Sequence, residues 1–447
     1  MAHVAKRLPR FTGAAAWAEI LGPRAARPPL TGSQGCDVAI IGAGYAGLSA
    51  ARRLKQLDPA LDVIVLDAAR VGDGGTGRNS GFMIDLPHEL AASSYDGGGE
   101  ARDRQLTGLN RFAINFAAQA VADYGIPDGF FRRTGKINGA GSEAGMASNR
   151  AYAKHLDALD EPYTLLDAAE MRGITGSDYY FGGLHTPGTA MIQPAGYAMG
   201  LALGLERDGV RVFEDSGVTR MESGAQGWSL TTAQGTLSAS KVIFATNGHL
   251  DSFGFARGRL MHIMLNACMT EQLTPDQVRV LGGEQEWGIT PCDPMGTTVR
   301  RIGPDQGGHR IIIRHGSYYR PVMATSEADL TRAACAMRAK FDARFPALKS
   351  VRFEFKWSGH LCLSQNGVSV MRELEPGLLS ACVQNGLGTA RGTLTGIGAA
   401  ELAVGQTSDI TRHFTAEDQP SRLPPHPFDT IGANAYLRYK EWQSRRE

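Results

Sequence analysis

The amino-terminal part of the chain alternates between strand-like and helix-like patterns of apolar positions. Residues 36–41 (CDVAII) form a short run rich in β-branched side chains, which predicts a buried strand. Residues 48–57 (LSAARRLKQL) have apolar positions at helical spacing, and residues 62–66 (DVIVL) predict a second buried strand. A strand, a helix and a strand in this order predict a βαβ unit with parallel strands.

The rest of the chain passes from helical to extended patterns. Residues 102–125 and 148–160 have the spacing of helices, and residues 191–223 predict a helix followed by two strands. Residues 260–323 contain long runs that predict antiparallel strands, which suit the platform of a second, substrate-binding domain. Residues 378–405 then predict a strand, a glycine turn and a helix of small residues.

The composition excludes several classes of protein. The 447 residues suffice for one large or two interleaved domains. The 46 basic and 45 acidic residues give a net charge of +1 without long blocks of either sign, so we expect neither nucleic acid nor a membrane as a partner. Six cysteines without C-x-x-C spacing predict no metal site and no disulfide framework. Without a secretory signal or a bilayer-spanning run, we expect a cytoplasmic protein that acts on a small molecule.

The turn between the first strand and the helix reads GAGYAG and has the spacing G-x-G-x-x-G. Its first glycine permits a tight turn, its second lets a pyrophosphate approach the helix N-terminus, and its third lets the helix pack closely on the strand. Asp67 ends the second strand, 20 residues after the last of these glycines, where a carboxylate can accept from a ribose hydroxyl. The full context favours a dinucleotide site over a glycine-rich turn of another kind. The predicted contacts are Gly42, Ala43, Gly44, Tyr45, Ala46, Gly47, Asp67 and Ala68.

A long loop with the sequence GDGGTGRNSGFM (72–83) follows this acid, where an NAD-binding unit ordinarily continues into a helix. With this loop, residues 28–54 and 63–81 resemble the amino-terminal third of the D-amino-acid oxidase superfamily of flavoproteins, most closely its gamma-glutamylputrescine-oxidase-like branch. In that branch the loop reads G-x-G-A-S-G-R-N-G-G. Ser80 therefore replaces a glycine here, and Asp67 replaces the more frequent glutamate.

The resemblance implies FAD as the cofactor, and it assigns three further groups of contacts. The loop after Asp67 lies beside the flavin ring and the pyrophosphate, a strand after the central helix contacts adenine, and a glycine turn before the last helix faces the pyrimidine edge of the flavin. Strand-end or strand-to-helix caps are the alternative reading for Thr246, Asn247 and the last turn. The implied contacts are Thr76, Gly77, Arg78, Asn79, Ser80, Gly81, Val218, Thr246, Asn247, Asn385, Gly386, Leu387, Gly388 and Thr389.

Two questions about the site stay open at the level of the sequence. Some relatives bind flavin covalently through a cysteine upstream of the last glycine turn, and Cys362 lies in that region; we expect noncovalent FAD, with a buried thiol as the ordinary reading of this residue. Arg314, His315, Tyr318 and Tyr319 cluster near the end of one strand. Together they are candidates for holding a substrate carboxylate and caging an amine, although a solvated strand edge is the favoured reading of each alone.

The fold class that follows is a two-domain α/β (α+β) protein, in which a Rossmann-like FAD-binding domain is interleaved with an antiparallel-sheet substrate domain. The FAD-binding domain is predicted at residues 30–90, 165–250 and 355–425. The substrate-binding domain is predicted at residues 91–164 and 251–354, with a carboxy-terminal tail at 426–447.

The resemblance also implies an activity. Members of the superfamily oxidise a C–H bond next to an amine nitrogen to an imine, so we expect an FAD-dependent amine or amino-acid oxidoreductase. Secondary amines are the favoured donors, and oxygen is the favoured acceptor, giving hydrogen peroxide. A dehydrogenase passing electrons to a quinone or a carrier protein is the main alternative. A flavin monooxygenase is disfavoured, because such enzymes carry a Gly-Asp motif before a late helix and VQNGLGTARGT has no acid there. A flavin-binding regulator without enzymatic activity is the remaining class.

Overall fold

The computed structural model describes residues 2–87, 99–293 and 295–444. Within these residues, strands and helices are numbered separately in chain order. The strands are β1 (Ala2–Val4), β2 (Gly32–Ile41), β3 (Val63–Leu66), β4 (Phe82–Met83), β5 (Phe131–Arg132), β6 (Lys136–Ala140), β7 (Thr164–Leu166), β8 (Gly182–Thr186), β9 (Ala190–Ile192), β10 (Arg211–Phe213), β11 (Arg220–Gly224), β12 (Gly227–Thr231), β13 (Gly235–Phe244), β14 (Leu260–Thr270), β15 (Trp287–Pro291), β16 (Thr298–Ile302), β17 (Arg310–Tyr319), β18 (Phe353–Ser364), β19 (Val370–Glu375) and β20 (Leu378–Cys382). The helices are α1 (Ala16–Glu19), α2 (Tyr45–Leu57), α3 (Glu100–Tyr124), α4 (Glu143–Leu159), α5 (Ala168–Thr175), α6 (Pro194–Arg207), α7 (Pro275–Leu281), α8 (Glu327–Arg344), α9 (Ala390–Ala403), α10 (Asp409–Thr415) and α11 (Phe428–Gln443).

The predicted βαβ unit lies at the centre of the first large sheet. Strands β20, β13, β2, β3 and β10 are parallel neighbours in that order, and β19, β12, β11 and β1 extend the sheet with antiparallel pairs. All four residues of β3 are buried, as expected for a parallel strand covered on both faces. Leu54 of α2, Leu201 of α6 and Ile397 of α9 share one core against this sheet. The two glycine turns lie at the carboxyl ends of strands β2 and β20 of this sheet.

The second large sheet has the order β18-β14-β17-β16-β15-β6-β8-β7, and its pairs are antiparallel except for β15 with β6. Alternation along β17 decides which side chains face which layer. Ile311 and Ile313 pack in a core with Met337 and Phe341 of α8. Ile312 packs on the other face, in a core with Trp17 and Trp357. Arg314 has the same parity as Ile312, and this explains why its side chain points away from α8.

The first residues of the chain join the two sheets. Strand β1 pairs with β11 of the first sheet, and Ser358 of β18 in the second sheet donates its amide to Thr12 O. Trp17 follows and is fully buried. Its main-chain oxygen accepts a hydrogen bond from Gln193 Nε2 at 2.7 Å. This segment, residues 2–20, is called the amino-terminal arm below.

Three strands belong to a different sheet from the one that the predicted domain boundaries imply. Strands β7, β8 and β18 belong to the second sheet, whereas residues 165–250 and 355–425 were assigned to the FAD-binding domain. The pattern of a single strand does not reveal its partner, and β18 pairs with β14 along nearly its whole length. The predicted boundary at residues 90 and 91 lies outside the described residues, as do residues 445–447 of the tail. None of the helices in the described part of the chain is long and apolar enough to cross a membrane.

Candidate functional site

The first glycine turn has the geometry that its sequence predicts. Gly42 has φ +111°, and a Cβ there would lie 2.6 Å from Ala245 O. A Cβ on Gly47 would lie 1.8 Å from Gly42 O, so close packing of α2 requires glycine. Gly44 is the N-cap of α2, without a side-chain cap, and a Cβ there would meet only Thr76 Oγ1. The N-terminus of α2 is therefore accessible to a ligand on that side.

The carboxylate of Asp67 stabilises this turn through two hydrogen bonds. Its Oδ2 accepts from the Ala43 amide at 2.7 Å, and its Oδ1 accepts from the Ala69 amide at 2.8 Å. Burial raises the pKa of Asp67 to about 6 despite these two hydrogen bonds. Because each carboxylate oxygen can accept more than one hydrogen bond, the group retains capacity for a ribose hydroxyl.

Asn79 organises the loop that follows. Its Nδ2 donates to Thr76 O at 2.5 Å and to the Tyr45 hydroxyl at 3.3 Å, while its Oδ1 accepts from the Gly81 amide at 2.8 Å. Its main-chain oxygen accepts from Trp17 Nε1 at 2.8 Å. The side chain thus fixes the conformation of the loop.

Arg78 connects the loop to two distant segments. Its guanidinium donates to Asp73 O at 2.7 Å, Gly13 O at 2.9 Å, and Thr12 O and Ser358 O at 3.2 Å each. Burial lowers the pKa of Arg78 to about 10. All four partners are main-chain oxygens, so this side chain holds the loop against the amino-terminal arm and β18.

The second glycine turn lies before α9. Gly386 has φ +88°, and a Cβ on Gly388 would find no atom within 4 Å. Thr389 is the N-cap of α9, but its hydroxyl donates to Phe82 O at 2.7 Å instead of capping the helix. A second helix N-terminus is therefore left without a side-chain cap and lies beside open space. Asn385, by contrast, turns away and bonds the Ser364 amide and the Gly367 and Val368 oxygens.

Both glycine turns and the second sheet border one cavity of about 350 Å³. Of the predicted cofactor contacts, three do not reach its wall: Gly47 and Gly77, which pack against main chain, and Asn385. The predicted residues on the wall are Gly42, Ala43, Gly44, Tyr45, Ala46, Asp67, Ala68, Thr76, Arg78, Asn79, Ser80, Gly81, Val218, Thr246, Asn247, Gly386, Leu387, Gly388 and Thr389. Two helix N-termini without side-chain caps border one cavity, and Asp67 lies on the same wall. This combination fits an anionic dinucleotide.

The structure separates the four predicted substrate residues. Arg314 lies on the cavity wall, whereas His315, Tyr318 and Tyr319 do not. His315 Nδ1 lies 3.2 Å from Thr297 Oγ1, and the Tyr319 hydroxyl donates to Asp429 of α11 at 2.8 Å. The Tyr318 ring lies under the Arg438 guanidinium at 4.8 Å. Both tyrosines therefore contact the carboxy-terminal helix α11.

Comparison with known proteins decides the family. A family model described as DAO, FAD dependent oxidoreductase, matches residues 37–402. The chain belongs to the DAO family of FAD-dependent oxidoreductases.

The alignments with relatives cover most of the length of this DAO-family protein. The probable oxidoreductase OrdL of Rhizobium meliloti is 25% identical over 406 residues, covering 88% of this chain and 89% of that protein. Gamma-glutamylputrescine oxidoreductase of Escherichia coli is 27% identical over 413 residues, covering 88% of each chain. Glycine oxidase from Geobacillus kaustophilus has a similar fold, with a TM-score of 0.69, 17% identity, and coverage of 88% of this chain and 100% of that chain. These findings confirm the predicted family, the fold class, FAD as the cofactor and an oxidoreductase activity.

Cys362 lies outside the cavity wall of this DAO-family chain. It is fully buried in a core with Phe244 and Leu250, and burial raises the pKa of its thiol well above the usual value. A flavin linked through this sulfur would require the thiol to leave that core, so the structure does not support the covalent alternative.

Several wall residues were missed by the reading of the sequence. The amino-terminal arm contributes residues 7–11 to the wall of this DAO-family cavity. Its sequence has no periodicity that indicates a partner. Asn266 was also missed, although a polar residue among the apolar residues of LMHIMLNACM is a detectable signal. Thr290 and Thr298 are further wall residues from the second sheet.

Two missed histidines on the wall, His249 and His360, are half-buried and form a group with the buried His262. His360 Nε2 lies 3.1 Å from His262 Nδ1, and the His249 ring meets the His360 ring edge-on at 5.7 Å. Burial, with repulsion from His262, lowers the pKa of His249 to about 4 and that of His360 well below its ordinary value. Both histidines on the wall are therefore neutral at pH 7.

Proposed function

We propose that this protein oxidises the C–H bond next to the nitrogen of a secondary amine that also bears a carboxylate, producing an imine and passing the electrons to oxygen as hydrogen peroxide. The names of two similar proteins support an amine or amino acid as donor, since one is a gamma-glutamylputrescine oxidoreductase and the other a glycine oxidase. The substrate, the amine class and the acceptor are this proposal's own.

The charge on the cavity wall is the observation that carries the proposal. Among the described residues, Asp67 is the one carboxylate on the wall, and it lies at the nucleotide turn. The positive side chains on the wall are Arg7, Arg10, Arg70, Arg78 and Arg314. Part of this charge can serve the two phosphates of FAD. Arg314 comes from the second sheet and borders the cavity, where a guanidinium can hold an anionic group of the substrate.

Arg314 is placed by the register of the sheet. It lies opposite Ala267 of β14 and Thr298 of β16, and both of these residues also reach the cavity. A carboxylate held there would fix one end of the amine across the cavity from the two glycine turns. Such fixing orients the reacting C–H bond, which is the main contribution that a protein can make to this reaction.

The same wall favours the reactive form of the amine. FAD, when bound, takes up the hydrogen and the two electrons of the C–H bond. The nitrogen must supply its lone pair, so it must be unprotonated. Apart from Asp67 at the nucleotide turn, the described wall, with neutral His249 and His360, offers no carboxylate to stabilise an ammonium ion, and it therefore lowers the pKa of a bound amine.

Replacement of Arg314 by methionine tests this proposal. In the Arg314→Met variant, we expect KM for N-methylamino acids to rise about 10- to 100-fold, because a charged hydrogen-bonded contact is lost. The KM for the matching methyl esters should change little. Arg279→Met is the control, since Arg279 is exposed and pairs with Asp276 on the surface. Equal losses for acids and esters would contradict the assigned role of Arg314.

The acceptor needs its own measurement. During turnover in air, we expect one hydrogen peroxide for each amine consumed. If a quinone or a dye is reduced rapidly while peroxide stays at trace level, the protein is a dehydrogenase and this part of the proposal is wrong.

A further inference from the structure

Asn266 occupies an irregular point of β14. The pairing of β14 with β17 shifts between Leu265 and Ala267, so that Asn266 falls within a bulge. Bulges re-aim side chains and are common beside active sites. The Asn266 side chain is fully buried and lies on the cavity wall.

A chain of hydroxyl groups fixes the orientation of the Asn266 amide. Thr325 Oγ1 donates to Ser358 Oγ at 2.8 Å, and Ser358 Oγ donates to Asn266 Oδ1, also at 2.8 Å. Ser358 lies directly opposite Asn266 on β18. Because the amide oxygen is engaged with Ser358, the Nδ2 group must be the end that is offered to other partners.

That Nδ2 group has no hydrogen-bond partner among the described residues, although it is buried. Leaving a buried donor unsatisfied is destabilising, and buried polar groups are therefore almost always paired. The Asn266 amide is held in place by Ser358, and its Nδ2 group is unpaired beside a ligand cavity. This arrangement indicates that the ligand supplies an acceptor atom.

We propose that Asn266 Nδ2 donates a hydrogen bond to a carboxylate oxygen of the substrate, and that Asn266 is a specificity-determining residue beside Arg314. The neighbouring Ala267 lies in register with Arg314, which places the two polar groups on adjacent positions of the same pair of strands. A carboxylate has two oxygens and can accept from both side chains. This inference rests on the proposed function, and it adds a neutral donor to the charged one.

The test compares Asn266→Leu, which removes the donor but keeps a side chain branched at the same carbon, with Ser358→Ala, which leaves the donor but frees its orientation. The probes are N-methylglycine, 3-(methylamino)propanoate and 4-(methylamino)butanoate, each paired with the amine in which a methyl group replaces the carboxylate. In Asn266→Leu we expect KM for the carboxylated members to rise about 10- to 100-fold. For the uncarboxylated members we expect KM to change less than about twofold. Ser358→Ala should show the same selectivity with a smaller effect.

A binding measurement makes the result independent of turnover. Acetate, propanoate and butanoate are titrated into the FAD-bound protein while the flavin absorbance is followed. We expect Asn266→Leu to weaken binding of the best of these ions at least about tenfold, with unchanged FAD affinity and an unchanged flavin spectrum in the absence of the ion. If no amine reduces the flavin of the unaltered protein, the proposed function fails, but the carboxylate titration still decides the role of Asn266.

Three results would overturn the inference. Loss of FAD affinity or a shifted flavin spectrum, with carboxylate binding unchanged, would assign the donor to the flavin. Equal losses for carboxylated and uncarboxylated amines would make Asn266 merely structural. No binding of any carboxylate to the unaltered protein would leave no acceptor of the proposed kind.

Discussion

At the scale of single residues, Gly44 is the position where the cofactor turn can be tested with least damage to the fold. It has an ordinary extended φ of −89°, and only the Thr76 hydroxyl lies near its absent Cβ. Gly42 and Gly81 are unsuitable, because both have positive φ and a Cβ on either would collide with main chain.

Gly44→Val should therefore produce a folded protein that binds FAD poorly. The branched side chain occupies the space through which a pyrophosphate approaches the N-terminus of α2, so we expect FAD affinity to fall on the order of 100-fold. Fluorescence titration of the FAD-free protein measures this. Gly108→Val is the control, since Gly108 is exposed on α3 with nothing near it. Full flavin content in Gly44→Val would show that the pyrophosphate lies elsewhere.

At the scale of elements, the amino-terminal arm and the loop of residues 72–83 stabilise each other through Arg78. Its guanidinium reaches Thr12 and Gly13 of the arm, Asp73 of the loop and Ser358 of β18. No two of these three segments are neighbours in the sequence. Their contact builds the wall of the cavity at the loop.

Arg78→Met should lower the free energy of unfolding by about 2–4 kcal/mol, because main-chain oxygens from three segments lose a buried, charged donor. Urea unfolding of the FAD-free protein measures this loss. The surface variant Arg279→Met should change the same quantity by less than about 0.5 kcal/mol. If both variants unfold at the same urea concentration, Arg78 does not hold the arm as described.

Features encoded within a few residues were predictable from the sequence, while contacts between distant segments were not. The positions of Gly42, Gly44 and Asp67 follow from strand, turn and helix patterns within one βαβ unit. Tyr319 illustrates the limit. Its neighbours in the sequence suggested a substrate cage, but its hydroxyl donates a hydrogen bond to Asp429, which lies 110 residues later. The position of the amino-terminal arm was not predictable for the same reason, because a segment without periodicity does not indicate which elements it packs against.

At the scale of the whole molecule, the half-buried His249 makes stability depend on pH. His249 has a pKa of about 4 in the folded chain, against an ordinary value of 6.5. Between these values the unfolded chain binds a proton at this residue that the folded chain does not. The contribution of His249 is therefore fully present above pH 6.5 and is lost as the pH falls toward 4.

Unfolding by urea at pH 7 and pH 5 should show this effect. We expect the unaltered FAD-bound protein to lose about 1–2 kcal/mol more than His249→Gln between the two pH values, because the glutamine has no proton to gain. The comparison between the two proteins cancels the contributions of other groups that titrate in both, such as Asp67. Identical pH dependence in the two proteins would contradict the assigned state of His249.

The central claim is that an amine reduces FAD bound in the cavity between the two sheets. Anaerobic mixing of the purified FAD-bound protein with N-methylamino acids, primary amino acids and the matching 2-hydroxy acids, followed by flavin absorbance, tests it most directly. We predict that at least one N-methylamino acid bleaches the flavin and that no hydroxy acid does. Bleaching by a hydroxy acid alone, or by none of these compounds, would contradict the account.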